Sequence, residues 1–499
     1  MTIQWVFFWS LVRSMTVACA GVVLSGHIHA RTTDHRFGNV RQFWIIAGLL
    51  PLFVPDLLTG FIWRPVSAEL MNWSESILSS HSGNSRGMYG GFLTELLYIL
   101  LLTIRATSYG VAVRMMMPVS NQESTSLFLW STLRHRQKVT SWVVHFLRMR
   151  LSGMWRPAVV AWCLMTLVSL QEFETAALMQ LDRSPIVWTV TLFDAHAAHQ
   201  PLLDSLSMLK WPLMIEGGLF IPVFVLMRGS STSSMGVPDD VLESQRAVRG
   251  TFINRFVAAC WVLLVCGLVI LWPLLSAVPQ LIASFGLILA NPGFVVQSMS
   301  QIGVSLLFSA VAAMVGLQSA KLILGQRSRL LLWIMLLPGL SGSLIVSLVL
   351  LSVFQTSVGR VFYDTWLPLL AGQVLVVLPR AVFMVIVLNR LIDPAALYLS
   401  TLTAKADATH VARAGFQIRW RLQTAAWVVA AMALSHWCFW DVTTVSILRP
   451  VDLEPVVTRL YNEMHYGRTE ILMLMSFLSA ASIPATAWLC MIVLRVARR

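Results

Sequence analysis

Residues 331–351 read LLWIMLLPGLSGSLIVSLVLL, 21 positions without a single charged side chain. A hydrocarbon layer about 30 Å thick is crossed by about 20 mainly apolar helical residues, so this run has the length of a membrane span. The rest of the chain agrees. Of 499 residues, 57% are hydrophobic and 12% charged, and the mean hydropathy is +0.72, which is more apolar surface than one water-soluble core can absorb. The expected fold class is all-α, a polytopic helical membrane protein. Eleven runs meet the length rule: 4–25, 43–63, 89–113, 156–178, 208–227, 256–277, 300–317, 331–354, 366–389, 423–440 and 471–494. The first opens at Val6 without a basic leader and contains Arg13, so it is expected to be a span rather than a cleaved signal.

A net charge of +13 raises nucleic acid as a partner. The basic residues, however, fall in short segments between apolar runs rather than in a patch interleaved with aromatics. Membrane lipid is the expected partner instead, and no nucleic acid. The segments 26–42, 118–155, 228–255, 318–330, 390–422 and the C-terminal tail hold 23 Lys and Arg, against seven in the alternating segments. Basic loops stay inside, which puts the C-terminus in the cytoplasm and, after eleven crossings, the N-terminus outside. All six cysteines lie inside apolar runs, not at the spacing of a disulfide framework or a zinc site.

The opening run has a partner within the chain. Leu336-Leu337-Pro338 matches Leu49-Leu50-Pro51 at an offset of 287, and a longer match follows at 269. There Ser131-Thr132-Leu133 meets Ser400-Thr401-Leu402, Val159-Val160-Ala161 meets Val428-Val429-Ala430, Glu172 meets Asp441, and Thr175 meets Thr444. Asp194-Ala195-His196 likewise meets Glu463-Met464-His465. The chain therefore reads as two related halves, 1–250 with about five spans and 251–499 with about six, the sixth span having no counterpart. Parallel duplication is a recurring transporter architecture, with the substrate path between the halves.

The residues also carry a family resemblance. LQEFETAALMQL with VTLFDAHAAHQPL in the first half, and FWDVTTVSILRP with VVTRLYNEMHYGRTEILML in the second, resemble the two halves of fused binding-protein-dependent ABC transporter permeases of the ferric-iron type. The resemblance implies a permease subunit of an importer in a bacterial plasma (inner) membrane. It also implies a cytoplasmic ABC ATPase dimer that hydrolyses ATP as a separate subunit, and a periplasmic or extracellular solute-binding protein. The chain itself would be no enzyme and would hold no cofactor and no metal. In that family a Glu-Ala-Ala loop in each half docks on the ATPase. The loops in register here are STLRHRQKVTSWVVHFLRMRLSG, with Arg134, Arg136 and Lys138, and STLTAKADATHVARAGFQIRWRL, with Lys405, Asp407, Ala408 and Gly415. The first has no acidic residue and no alanine. These departures keep a second reading open, a membrane scaffold or assembly subunit that has lost ATPase coupling.

Ionisable groups inside spans are costly and are functional candidates by default. Arg13, Asp56, Glu95, Arg105, Glu172, Glu174, Glu216 and Arg380 lie deepest, and several of them are as well suited to buried ion pairs that hold spans together. On one helix Glu172 and Glu174 would project about 160° apart. Glu172, matched by the acidic Asp441, is the one assigned to the translocation path. The acid-x-His pairs, Asp194 with His196 and Glu463 with His465, admit three roles. They offer an O,N ligand set for a transition ion, a catalytic pair for which no nucleophile is at hand, or braces for helices at an outer gate. Duplication favours the braces, because two related gate helices need the same support.

Overall fold

A computed structural model describes residues 3–32, 38–78, 86–117, 146, 150–151, 153, 155–179, 187–198, 201–228, 252–290, 292–325, 329–391, 394–405, 409–466 and 469–496. Among these the chain is helical with no strand. Arg134, Arg136, Lys138, Asp407 and Ala408 lie outside the described residues, as does the side chain of His465. The chain divides into two compact units, Met1–Val54 with Thr59–Leu275, and Pro55–Leu58 with Ser276–Arg499.

In the first unit α1 (Ile3–Thr32) is followed by α2 (Gly38–Leu49), a 3-10 turn at Leu50–Phe53, α3 (Asp56–Leu78) and α4 (Arg86–Met116). Next come α5 (Trp155–Leu170), a one-turn α6 (Glu174–Leu178), α7 (Trp188–Ala197), α8 (Leu202–Met208) and α9 (Lys210–Arg228). Then α10 (Phe252–Leu264) runs through a π-helical segment, Val265–Leu271, into α11 (Trp272–Ala290), whose residues from Ser276 onward belong to the second unit. α1 packs along α4 and α5. Close approach is permitted by small residues, since a Cβ on Gly110 would meet Met165 Cε at 2.0 Å and Ser25 Oγ at 2.7 Å. Small residues at helix contacts serve the same purpose in membrane bundles.

Arg13 of α1 meets Glu95 of α4, and Val22 O further along α1 accepts from Arg114 Nη2 at 3.1 Å. The contacts advance together, so α1 and α4 run parallel. The chain between them must return to its starting end, which α2 and α3 accomplish.

The second unit repeats this order. It contains α12 (Pro292–Gly325), α13 (Arg329–Leu340), α14 (Ser343–Phe354), α15 (Leu367–Leu391), α16 (Pro394–Ala404) and α17 (Thr409–Arg419). A π-helical segment, Trp420–Thr424, leads into α18 (Ala425–Phe439), followed by α19 (Val442–Leu448), α20 (Val456–Tyr466) and α21 (Thr469–Val496). α12 packs along α15 and α18, as α1 does along α4 and α5. Ala312, Ala313, Leu317 and Ala320 of α12 share a core with Val377, Ala381 and Val385 of α15. The sequence offsets reappear as element starts. α14 begins at Ser343 where α3 begins at Asp56, and α18 ends at Phe439 where α5 ends at Leu170.

Among the described residues six helical stretches are long and apolar enough to cross a membrane: Gln4–Thr32, Gly91–Met116, Asn254–Ser284, Gly293–Gly325, Leu367–Asn389 and Thr409–Phe439. Two bent pairs bring the number to eight. The expected unbroken spans need correction in three places. Run 43–63 bends by 81° between Phe53 and Asp56, and run 331–354 by 112° between Leu340 and Ser343. At the second bend Gly342 has φ 91°, a left-handed conformation that glycine adopts at no steric cost. Run 156–178 stops being helical at Gln171 and restarts at Glu174.

Candidate functional site

The break after α5 is built around Glu172, which is only 5% exposed. Its carboxylate accepts from the backbone N of Thr175 at 2.5 Å and of Ala176 at 3.4 Å, capping α6 in the way carboxylates satisfy the unpaired donors of a first turn. The buried hydroxyl of Tyr98 on α4 donates to the same carboxylate. Over the Tyr98 ring, 5.3 Å from its centroid, lies the Arg13 guanidinium. Arg13 in turn donates through Nε and Nη2 to the two oxygens of Glu95, the second bond at 3.0 Å. A buried polar chain, Glu95–Arg13–Tyr98–Glu172, thus ties α4, α1 and the helix break together. The start of α7 is sewn to the same place. Trp188 Nε1 donates to Leu170 O at 2.7 Å, Thr189 Oγ1 to Glu172 O at 2.7 Å, and Trp188 N to Ser10 Oγ at 3.2 Å.

The second unit carries the same device in a plainer form. Asp441, 9% exposed, caps α19 by accepting from Thr444 N at 3.1 Å and Thr444 Oγ1 at 2.6 Å. Ser305 of α12 accepts from Val456 N at 2.9 Å at the start of α20, as Ser10 of α1 does at the start of α7. Arg459 Nη1 donates to Gln301 Oε1 at 3.0 Å, and Gln301 Nε2 to Glu454 Oε2 at 2.9 Å, holding α20 against α12. Among the described residues the Arg13–Glu95 pair has no matching pair here, and Asp441 instead interacts electrostatically with Arg380 of α15. Setting Ser305 against Ser10 places Phe308 at the position of Arg13, and setting Arg380 against Arg105 places Leu370 at that of Glu95 and Gln373 at that of Tyr98. Gln373 Nε2 donates to Cys438 O at 3.4 Å.

Glu172 and Asp441 therefore occupy matching helix breaks, each engaged by donors of its own unit. Because α5 ends at Leu170, Glu172 and Glu174 do not share a helix, and the angular argument that separated them does not apply. The acid-x-His residues lie further along the following helices. Asp194 is exposed and His196 half-buried on α7, while Glu463 is half-buried on α20 with an oxygen 4.0 Å from Arg459 Nε. Among the described residues no three His, Cys, Asp or Glu side chains converge. Sequence reasoning flagged Arg13 and Glu95 singly and missed Tyr98, Ser10 and Ser305. Two opposite charges in separate apolar runs were the only available signal for the ion pair.

Of the loop residues, Lys405 is exposed at the end of α16, and Gly415 is buried where α17 folds back on it. A Cβ at Gly415 would lie 2.4 Å from Ala404 N and 2.7 Å from Thr403 C, both backbone atoms that cannot swing aside. Gly415→Ala is expected to pry this helical hairpin apart. Limited proteolysis between residues 400 and 420 should become faster while the rest of the chain stays folded.

No protein-family model, curated protein or solved structure matches the chain. The class that composition, helices and buried polar chain define is a multi-helix protein whose apolar helices fit a multi-pass membrane protein.

Proposed function

We propose that this chain is the transmembrane permease subunit of an ABC-type importer in a bacterial inner membrane, passing ferric iron or another small ion or solute delivered by a binding protein. The observation that carries the reading is the recurrence, in both units, of one assembly: a serine on the first long helix, a carboxylate-capped helix break, and a following helix whose first turn is held by that serine. Duplicated halves of this kind form transporter pathways. In this reading α5, α9 and α21 add three crossings to the six spans and two bent pairs, giving eleven. Glu172 and Asp441 brace the helices that border the path, and Asp194, His196, Glu463 and His465 belong to α7 and α20 at its outer gate. The cytoplasmic segments around 131–153 and 400–422 receive the ATPase, which supplies all the hydrolysis.

The topology is checked with two cysteines, at Asn462 and at Lys405. An impermeant thiol reagent applied to intact cells is expected to reach the first and not the second, and the reverse pattern would sink the orientation. The partner is checked by crosslinking from Lys405→Cys and Arg413→Cys in native membranes, with capture of an ABC ATPase expected. A second reading, the uncoupled scaffold, is favoured by the absence of any acidic residue or alanine from 131–153. Failure to capture an ATPase from either position would select it.

A further inference from the structure

The connection between α14 and α15, residues 355–366, is a built surface with an unusual outward face. Arg360 N donates to Thr356 O at 2.9 Å, Gly359 N to Thr356 Oγ1 at 3.3 Å, and Thr365 Oγ1 to Phe362 O at 2.7 Å. A Cβ at Gly359 would meet Val353 O at 2.4 Å, so the turn lies directly against the end of α14. These backbone groups are thus satisfied internally, and the side chains turned outward mix polar ones, Gln355, Ser357, Arg360 and Asp364, with large apolar ones. Val358 is 82% and Val361 76% exposed, beside exposed Phe362, Tyr363 and Trp366. The connection between α19 and α20 joins the same surface, because Val451 N donates to Asp364 Oδ1 at 3.3 Å, and Val451 is 83% exposed.

Large apolar side chains clustered at the surface mark a contact, and here they stand beside charged and polar ones, as on a surface that meets apolar and polar layers together. Two observations identify what it contacts. The patch continues the exposed Val349 and Val353 of α14, and the loop ends at Leu367, where a candidate span begins. Tyr363 and Trp366 are of the residue types that gather at a membrane–water boundary, where the ring lies among acyl chains and its polar edge among headgroups. We propose that this paired-loop surface is seated in the lipid headgroup layer and anchors the connections of the second unit to the bilayer, the occupant being lipid and not a protein partner. The inference rests on the membrane-spanning reading of the neighbouring helices and not on transport.

The test uses the full chain with its native cysteines replaced by alanine, labelled with an environment-sensitive fluorophore at Val361→Cys and reconstituted into phosphatidylcholine–phosphatidylglycerol vesicles. A lipid nitroxide near the headgroup is expected to quench this label about twofold more than one near the acyl terminus, as for a residue at the edge of the hydrocarbon layer. Aqueous iodide present on both faces is expected to quench it little. A second label at Leu307→Cys, exposed on α12, should show the opposite depth preference. Iodide quenching at Val361 with no effect of lipid nitroxides, while Leu307 responds to the deep nitroxide, would overturn the anchor alone. Iodide quenching at both positions would overturn the membrane-spanning reading and the anchor with it.

Discussion

Arg13→Leu is expected to destabilise the protein by about 3–5 kcal/mol, the usual cost of leaving one member of a buried ion pair without its partner. Glu95, 5% exposed, would keep a desolvated carboxylate and lose two guanidinium bonds, and the Tyr98 ring would lose the cation above it. The double variant Arg13→Leu with Glu95→Leu is expected to recover to within about 1 kcal/mol of the wild type, because replacing a whole buried pair by apolar groups is close to neutral. In the second unit the residues set against this pair along the sequence, Phe308 and Leu370, are both apolar. Reversible unfolding in mixed detergent micelles reads both variants. A double variant as unstable as the single one would mean that the pair does not act as a unit.

The second large effect is expected at Glu172. Glu172→Leu removes the acceptor of the Tyr98 hydroxyl and of the Thr175 amide at once, a loss of about 3 kcal/mol given that each buried group left unsatisfied costs about 1–3 kcal/mol. Glu172→Gln retains a side-chain oxygen for the amide and is expected to lose less than half as much. Asp441→Leu leaves the Thr444 amide and hydroxyl without their acceptor, so its loss should fall near the N-cap range of about 1–2 kcal/mol. The ranking separates a brace from a pathway residue. Should Glu172→Leu unfold like the wild type yet abolish uptake, Glu172 would belong to the path and the bracing role would be wrong.

How legible this molecule is depends on the length scale of the feature. The apolar runs are long, and in an apolar surrounding the backbone can satisfy its hydrogen bonds only by coiling on itself, so helices follow from composition with little competition. The pairing of Glu172 with Asp441 was readable because the chain carries its own internal comparison. The shape of the runs was not. Within LLWIMLLPGLSGSLIVSLVLL a length rule counts one span, whereas the helix turns through 112° at Ser341-Gly342. Pro338 lies inside the helix before that turn, so the proline alone did not mark where the break would fall.

The amino-acid sequence by itself determined the helical class, the positions of most apolar helices and the correspondence of Glu172 with Asp441, because each rests on residues close together or on a match along the chain. Tertiary structure alone decided that Arg13 answers Glu95 across 82 residues, that Tyr98 relays this pair to Glu172, and that Ser10 and Ser305 hold the first turns of α7 and α20. Those bonds depend on the register of one helix against another. That register is set by which small residues, such as Gly110 and Ala312, let two backbones approach, and a pattern of hydropathy along a single strand of sequence carries no information about it.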